Sequence, residues 1–114
     1  MSDKPDVPAG TLTLMILRTV DTMGPLHGYG LARRIEQASG GRLELNQGTV
    51  YPALLQLEQR GWIKGSWGTS ENNRRARFYS ITTAGRRHLR NEASVWLRYS
   101  QAVTRVLRAE PALA

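Results

Sequence analysis

The spacing of apolar residues changes once along the chain, at Gly61, and that change limits the fold more than any single residue does. Before it, apolar side chains recur every three or four positions: Leu12, Met15, Ile16, Val20 and Met23, with Leu14 and Leu17 on a second side, then Leu31, Ala32, Ile35 and Ala38, then Val50, Leu54 and Leu57. Such spacing lines one face of a helix. Gly24-Pro25, Ser39-Gly40-Gly41 and Gly61 interrupt these runs as helix stops. After Gly61 the period falls to two. Ile63, Gly65 and Trp67 alternate with Trp62, Lys64 and Ser66, and Arg75, Arg77, Tyr79 and Ile81 alternate with Ala76, Phe78 and Ser80, the pattern of two strands. Gly68 to Arg74, rich in turn formers, joins them as a hairpin. Thr82 or Thr83 can cap a last helix that runs to about Arg108, and Pro111 ends regular structure. Residues 1–9, polar and carrying Pro5 and Pro8, read as a flexible N-terminal tail, and residues 109–114 as a second tail.

The chain is therefore expected to be mainly α with a small β-hairpin: one domain over residues 10–82 and a long C-terminal helix over 83–108. The length of 114 residues suits a single modest core. Three helices followed by a hairpin with a basic tip form the pattern of a winged helix-turn-helix, in which the helix after the turn enters the DNA major groove. A formal charge of +7 agrees with a polyanionic partner. The third helical segment, "LNQGTVYPALLQLEQRG" over residues 45–61, carries Gly48 and Pro52, which would be a poor choice for a helix that only packs. A helix that meets phosphate with its N-terminus has a use for both. Gly48 permits close backbone approach to an anion, and Pro52 is tolerated if the regular helix starts near Thr49, the alternative being a cap at Asn46 and a kink at Pro52. Tyr51 lies off the Val50, Leu54, Leu57 stripe, so its hydroxyl can reach phosphate, while Gln47 and Thr49 are candidates for base edges or backbone. The competing reading makes Tyr51 a half-buried packing residue. Lys64, Arg74, Arg75 and Arg77 on the hairpin complete the candidate DNA-binding set.

The last helix has an argument of its own. At about 1.5 Å per residue it would span about 40 Å and overhang the small body before it. Leu89, Ala93, Trp96, Ser100, Val103 and Leu107 follow alternating steps of four and three, a coiled-coil-like seam, and Val95, Tyr99, Ala102 and Val106 form a neighbouring stripe. Two stripes call for two partners, namely the chain's own first helix and a second subunit. A twofold homodimer would present two recognition helices to a palindromic site.

Other classes find less support. There is no cysteine for a disulfide or a thiolate metal site, and His27 and His88 lack companions at metal-ligand spacing, so no metal and no cofactor is expected. His27, before a glycine at a helix start, reads as a capping or packing residue. No G-x-S-x-G elbow or phosphate-binding glycine loop suggests an enzyme. The chain has no span-length apolar run and no signal-peptide core, which points away from the membrane and to the cytoplasm. A non-specific architectural DNA-binding protein would share the charge. A winged helix used for protein binding would be expected to carry acidic or apolar faces where this chain has arginines.

Three segments in order, "LHGYGLARRI" (26–35), "GTVYPALLQLEQRGWI" (48–63) and "RFYSITTAG" (77–85), closely resemble the PadR family of bacterial transcriptional regulators. The resemblance covers about residues 10–108. It implies operator binding as a homodimer, usually with repression, through Gln47, Thr49 and Tyr51, with the wing arginines on DNA backbone or minor groove and the C-terminal helix as the dimer interface. With one C-terminal helix the chain looks like the short branch of the family. Short members can bind lipophilic or aromatic effectors between subunits, which here implies Leu14, Met15 and Arg18 with Val95, Trp96, Tyr99 and Val103 as pocket walls. Ala93 and Ser100, both small, flank Trp96 along the seam and would leave a flat slot between two copies. The wing departs from the family, which often has Gly-Arg-Pro-Arg or Gly-Gly-Arg-Arg where this chain has Asn72-Asn73-Arg74-Arg75. Asparagine tolerates left-handed backbone angles, so the turn is expected to survive.

Overall fold

The computed structural model describes residues 9–109, and both tail assignments, apart from Ala9 and Ala109, lie outside them. Four helices and a small antiparallel sheet follow in the order α1 (Ala9–Met23), β1 (Leu26–His27), α2 (Gly28–Ala38), α3 (Gln47–Gln59), β2 (Ile63–Thr69), β3 (Arg75–Ile81) and α4 (Thr83–Leu107). The winged helix-turn-helix architecture read from the apolar spacing is the one observed. α1 begins at Ala9, inside the stretch assigned to the tail.

The core forms where three helical stripes meet the root of the hairpin. Ile16, Leu17, Leu31, Val50 and Leu54 lose all exposure, and Ile63, Tyr79 and Leu89 close the cluster from β2, β3 and α4. Met23, placed on the first stripe by its spacing, is instead 46% exposed, because the helix ends there and the chain turns away at Gly24 (φ +48°). Leu17, on the second side of α1, is buried completely.

The sheet has the order β1-β3-β2. β2 and β3 pair from Ile63 opposite Ile81 to Thr69 opposite Arg75. β1 was not legible in sequence: Leu26 and His27 pair with Tyr79 and Phe78, and two residues are too few to show an alternation. His27 has the expected capping role. Its Nδ1 accepts from Gly30 N at 3.0 Å, and its ring meets Phe78 edge-on at 5.4 Å.

The stops work as their residue types allow. At the end of α3, Gly61 takes φ +76° while its N–H donates to Glu58 O and that of Trp62 to Leu57 O, both at 3.0 Å, a Schellman arrangement. At the wing tip, Asn73 holds φ +58°, the left-handed angle for which asparagine is suited. Thr82 caps α4, accepting from Gly85 N at 3.0 Å and donating to Gly61 O at 2.6 Å. α4 packs on α1 through its first half, where Arg86 Nε meets Asp21 Oδ1 at 2.9 Å. Its second half leaves the body with every residue from Gln101 to Arg108 exposed.

Candidate nucleic-acid interface

α3 starts earlier than the proline alone would suggest. Asn46, in extended conformation, caps it by accepting from Thr49 N at 2.9 Å, and the helix runs from Gln47 with Pro52 inside it. The Asn46 cap is thus the alternative the structure adopts, and a start near Thr49 is corrected. The missing N–H of Pro52 leaves the Gly48 carbonyl without its usual helical donor on an exposed part of the helix, where water can serve it. Thr49 Oγ1 also donates to Asn46 Oδ1, at 3.1 Å. Its hydroxyl proton is spent on the cap, and what it offers outward is acceptor capacity.

Tyr51 answers to both of its readings. The residue is 51% exposed, yet its ring lies so close to Gly28 that a Cβ there would come within 3.0 Å of Cε1 and 3.4 Å of the hydroxyl. The first residue of α2 is therefore the floor on which Tyr51 rests, and the outer half of the ring faces solvent. Gln47 is turned the other way. It borders the recess between α2 and α3 with Tyr29, Arg33 and Glu36, and its Oε1 is buried with no hydrogen-bond partner among the described residues. On α2, Tyr29 is 55% exposed and accepts from Arg33 Nη1 at 3.3 Å, a bond that raises the Arg33 pKa. Sequence reading passed over this pair, although both residues stand in the "HGYGLAR" run beside the turn.

The wing residues separate into two sets. Arg74 and Arg75 are exposed at the tip, while Arg77 reaches across Gly65 to Glu58 of α3 at 2.6 Å, and this bond raises the Arg77 pKa. Lys64, opposite Ser80, projects from the other face of the hairpin and is not brought together with Arg75 and Arg77.

The predicted effector walls divide around Trp96. On one side, Leu14, Met15 and Arg18 of α1 border a groove of about 640 Å³ with Leu89, Ala93, Trp96 and Leu97 of α4, and Ile35 and Ala38 of α2 join it. On the other side, Val95, Trp96 and Tyr99 line a smaller recess with Leu14, Trp62 and His88. Val103 borders neither of these two. Of the proposed dimer seam, Leu89 needs correction: it is 4% exposed within its own chain and has no surface left for a partner. Ala93 is half-buried against the same core, and from Trp96 onward the apolar residues of the seam stand in solvent.

The model of the "Transcriptional regulator PadR-like family" matches residues 16–91, which holds α2, α3, the wing and the root of α4. The chain belongs to this family. PadR-like regulators also share its fold. A PadR-like transcriptional regulator from Bacillus cereus is 25% identical with a TM-score of 0.75, over 89% of this chain and 95% of that one. A PadR family regulator from Eggerthella lenta is 24% identical with a TM-score of 0.74, over 89% and 85% of the two chains. A 37.1 kDa protein of transposon Tn4556 from Streptomyces fradiae is 40% identical over 80 residues, 70% of this chain but 21% of its own length. The chain thus spans about a fifth of that relative. As a PadR-like protein the chain is a transcriptional regulator, and among its described residues no helix is long and apolar enough to cross a membrane.

Proposed function

We propose that the chain is a cytoplasmic, sequence-specific DNA-binding repressor that acts as a homodimer on a palindromic operator. The observation that carries this reading is the pairing of a capped, glycine-bearing helix start and an outward Tyr51 with a hairpin whose tip exposes Arg74 and Arg75 to a polyanion. Tyr51 and Thr49 are the readers, and Gly48 lets the backbone come close. Arg74 at the wing tip supplies sequence-independent affinity. Selection of duplexes from a random pool, followed by titration, tests the assignment. Tyr51→Ala is expected to weaken the selected duplex by about 1 to 3 kcal/mol while the fold stays intact. Arg74→Ala is expected to lower affinity for all sequences and to reduce the salt slope by about one. Parent-like affinity in both Tyr51→Ala and Thr49→Ala would remove α3 as the reader.

The effector reading rests on Trp96, 43% exposed on the ridge between two recesses and flanked by Ala93 and Ser100. A planar hydrophobic ligand stacked there between two subunits would change the spacing of the recognition helices, and so the operator affinity, by its differential binding to the two dimer states. A ligand that quenches Trp96 and releases DNA in the parent, and does neither in a dimeric Trp96→Ala protein, supports the slot. A Trp96→Ala protein that is monomeric, with no quenching ligand for the parent, assigns Trp96 to packing.

A further inference from the structure

The wing carries a tryptophan to which the DNA reading assigns no task. Trp67 is 58% exposed on β2. It stands opposite Arg77, and its neighbour on the same face, Thr69, stands opposite Arg75, so both arginines share its side of the hairpin. The guanidinium carbon of Arg75 lies 4.3 Å from the indole centroid and that of Arg77 lies 5.7 Å from it.

The two arginines differ in what they have left to give. Arg77 is held by Glu58 of α3 at 2.6 Å, which ties the wing to the recognition helix. Arg75 has no carboxylate partner among the described residues. Its guanidinium carbon lies over the indole, and its N–H donors remain for an acceptor outside the chain. Stacking confines a side chain that would otherwise sample many rotamers, so the donors are oriented before anything binds. The result is a planar cation held in place near the end of a hairpin. A·T-rich minor grooves are narrow, carry enhanced negative potential and present only the acceptors adenine N3 and thymine O2. A G·C pair adds an amino donor on the groove floor, which faces the guanidinium donors unfavourably.

We propose that Trp67 is a positioning residue that holds Arg75 as a flat wedge for an A·T-rich minor groove beside the base pairs read by α3. The inference rests on the DNA reading above and adds to it a residue and a sequence preference that charge alone does not supply.

The test uses the full chain and a duplex that the parent has selected, with the flanking pairs made A·T, I·C or G·C. Inosine keeps the minor-groove pattern of A·T while changing the major groove. The parent is expected to bind A·T and I·C flanks alike and G·C flanks about tenfold more weakly. Trp67→Ala and Arg75→Ala should bind all three flanks equally, and Trp67→Phe should keep most of the discrimination, because phenylalanine still offers a ring face. Circular dichroism establishes the fold of each variant, and if Trp67→Ala does not fold, Arg75→Ala and Trp67→Phe carry the comparison. Uniform weakening on every flank in Arg75→Ala would assign that arginine to phosphate and overturn the wedge. Full discrimination in folded Trp67→Ala, or a parent indifferent to its flanks, would overturn it as well. A parent that selects no duplex at all would overturn the DNA reading itself, an outcome distinct from the others because it appears before any variant is made.

Discussion

At the residue scale, Tyr51 depends on a glycine on another helix. Alanine at position 28 would bring its Cβ within 3.0 Å of the Tyr51 ring, and the ring must shift. Gly28→Ala is therefore expected to keep most of the thermal stability and to lose operator affinity in the direction of Tyr51→Ala. Binding equal to the parent would show that the position of the ring has no bearing on reading. Tyr79 supplies a pH argument. Burial, then the nearby Glu58 carboxylate, push its phenol above the ordinary tyrosine value, with Arg77 opposing. The folded chain thus holds this proton more tightly than the unfolded one. The associated stability is complete below the unfolded value of about 10 and is lost as pH rises beyond it. Urea unfolding between about pH 9 and about pH 11 should show a shallower decline in Tyr79→Phe than in the parent.

At the element scale, the joint between wing and α4 allows little change. A Cβ at Gly85 would run into the carbonyl of Trp62, a backbone atom that also accepts from Thr82 N at 3.0 Å. Gly85→Ala should cost about 2 kcal/mol or more, since neither strand nor helix can yield without breaking the cap. A midpoint unchanged in denaturant would mean that the joint relaxes more freely than this packing implies. The start of α3 is a milder case. Asn46→Ala removes one acceptor that serves both Thr49 N and Thr49 Oγ1 and should cost about 1 kcal/mol. It also frees the Thr49 hydroxyl, so affinity and stability need not fall in proportion.

At the scale of the whole molecule, the outer half of α4 is the feature that a single chain leaves unfinished. Val95, Trp96, Leu97, Tyr99, Val103, Val106 and Leu107 are all 38% exposed or more, on a body with extents of 60 × 35 × 20 Å. Burying such a stripe against a second copy is favourable at about 25 cal/mol per Å² before the costs of association. Sedimentation at micromolar concentration is expected to show a dimer, and the melting temperature should rise with protein concentration. Val103→Asp should shift the protein toward monomer while the winged-helix core, to which Val103 does not belong, stays folded. A monomeric parent would reject the homodimer and the slot at Trp96 together.

The sequence by itself determined the elements other than β1, because the information for them is local. Apolar spacing set three helices, a hairpin and a long helix, while Gly61, Asn73 and Thr82 set their ends through backbone angles and caps that involve only near neighbours. The fold was legible for that reason, and so was the exposure of Tyr51 and the wing tip. Direction of side chains across elements was decided only by the tertiary structure. Nothing in the spacing of α4 separates Leu89, which the body of the chain covers, from Val103, which lies beyond its reach. Nor could spacing show that Gln47 turns inward beside α2, that Arg77 is taken by Glu58, or that Arg75 rests on Trp67. Those outcomes depend on which groups meet when helices and hairpin pack, and a pairing 19 residues apart in sequence, such as Arg77 with Glu58, leaves no periodic trace.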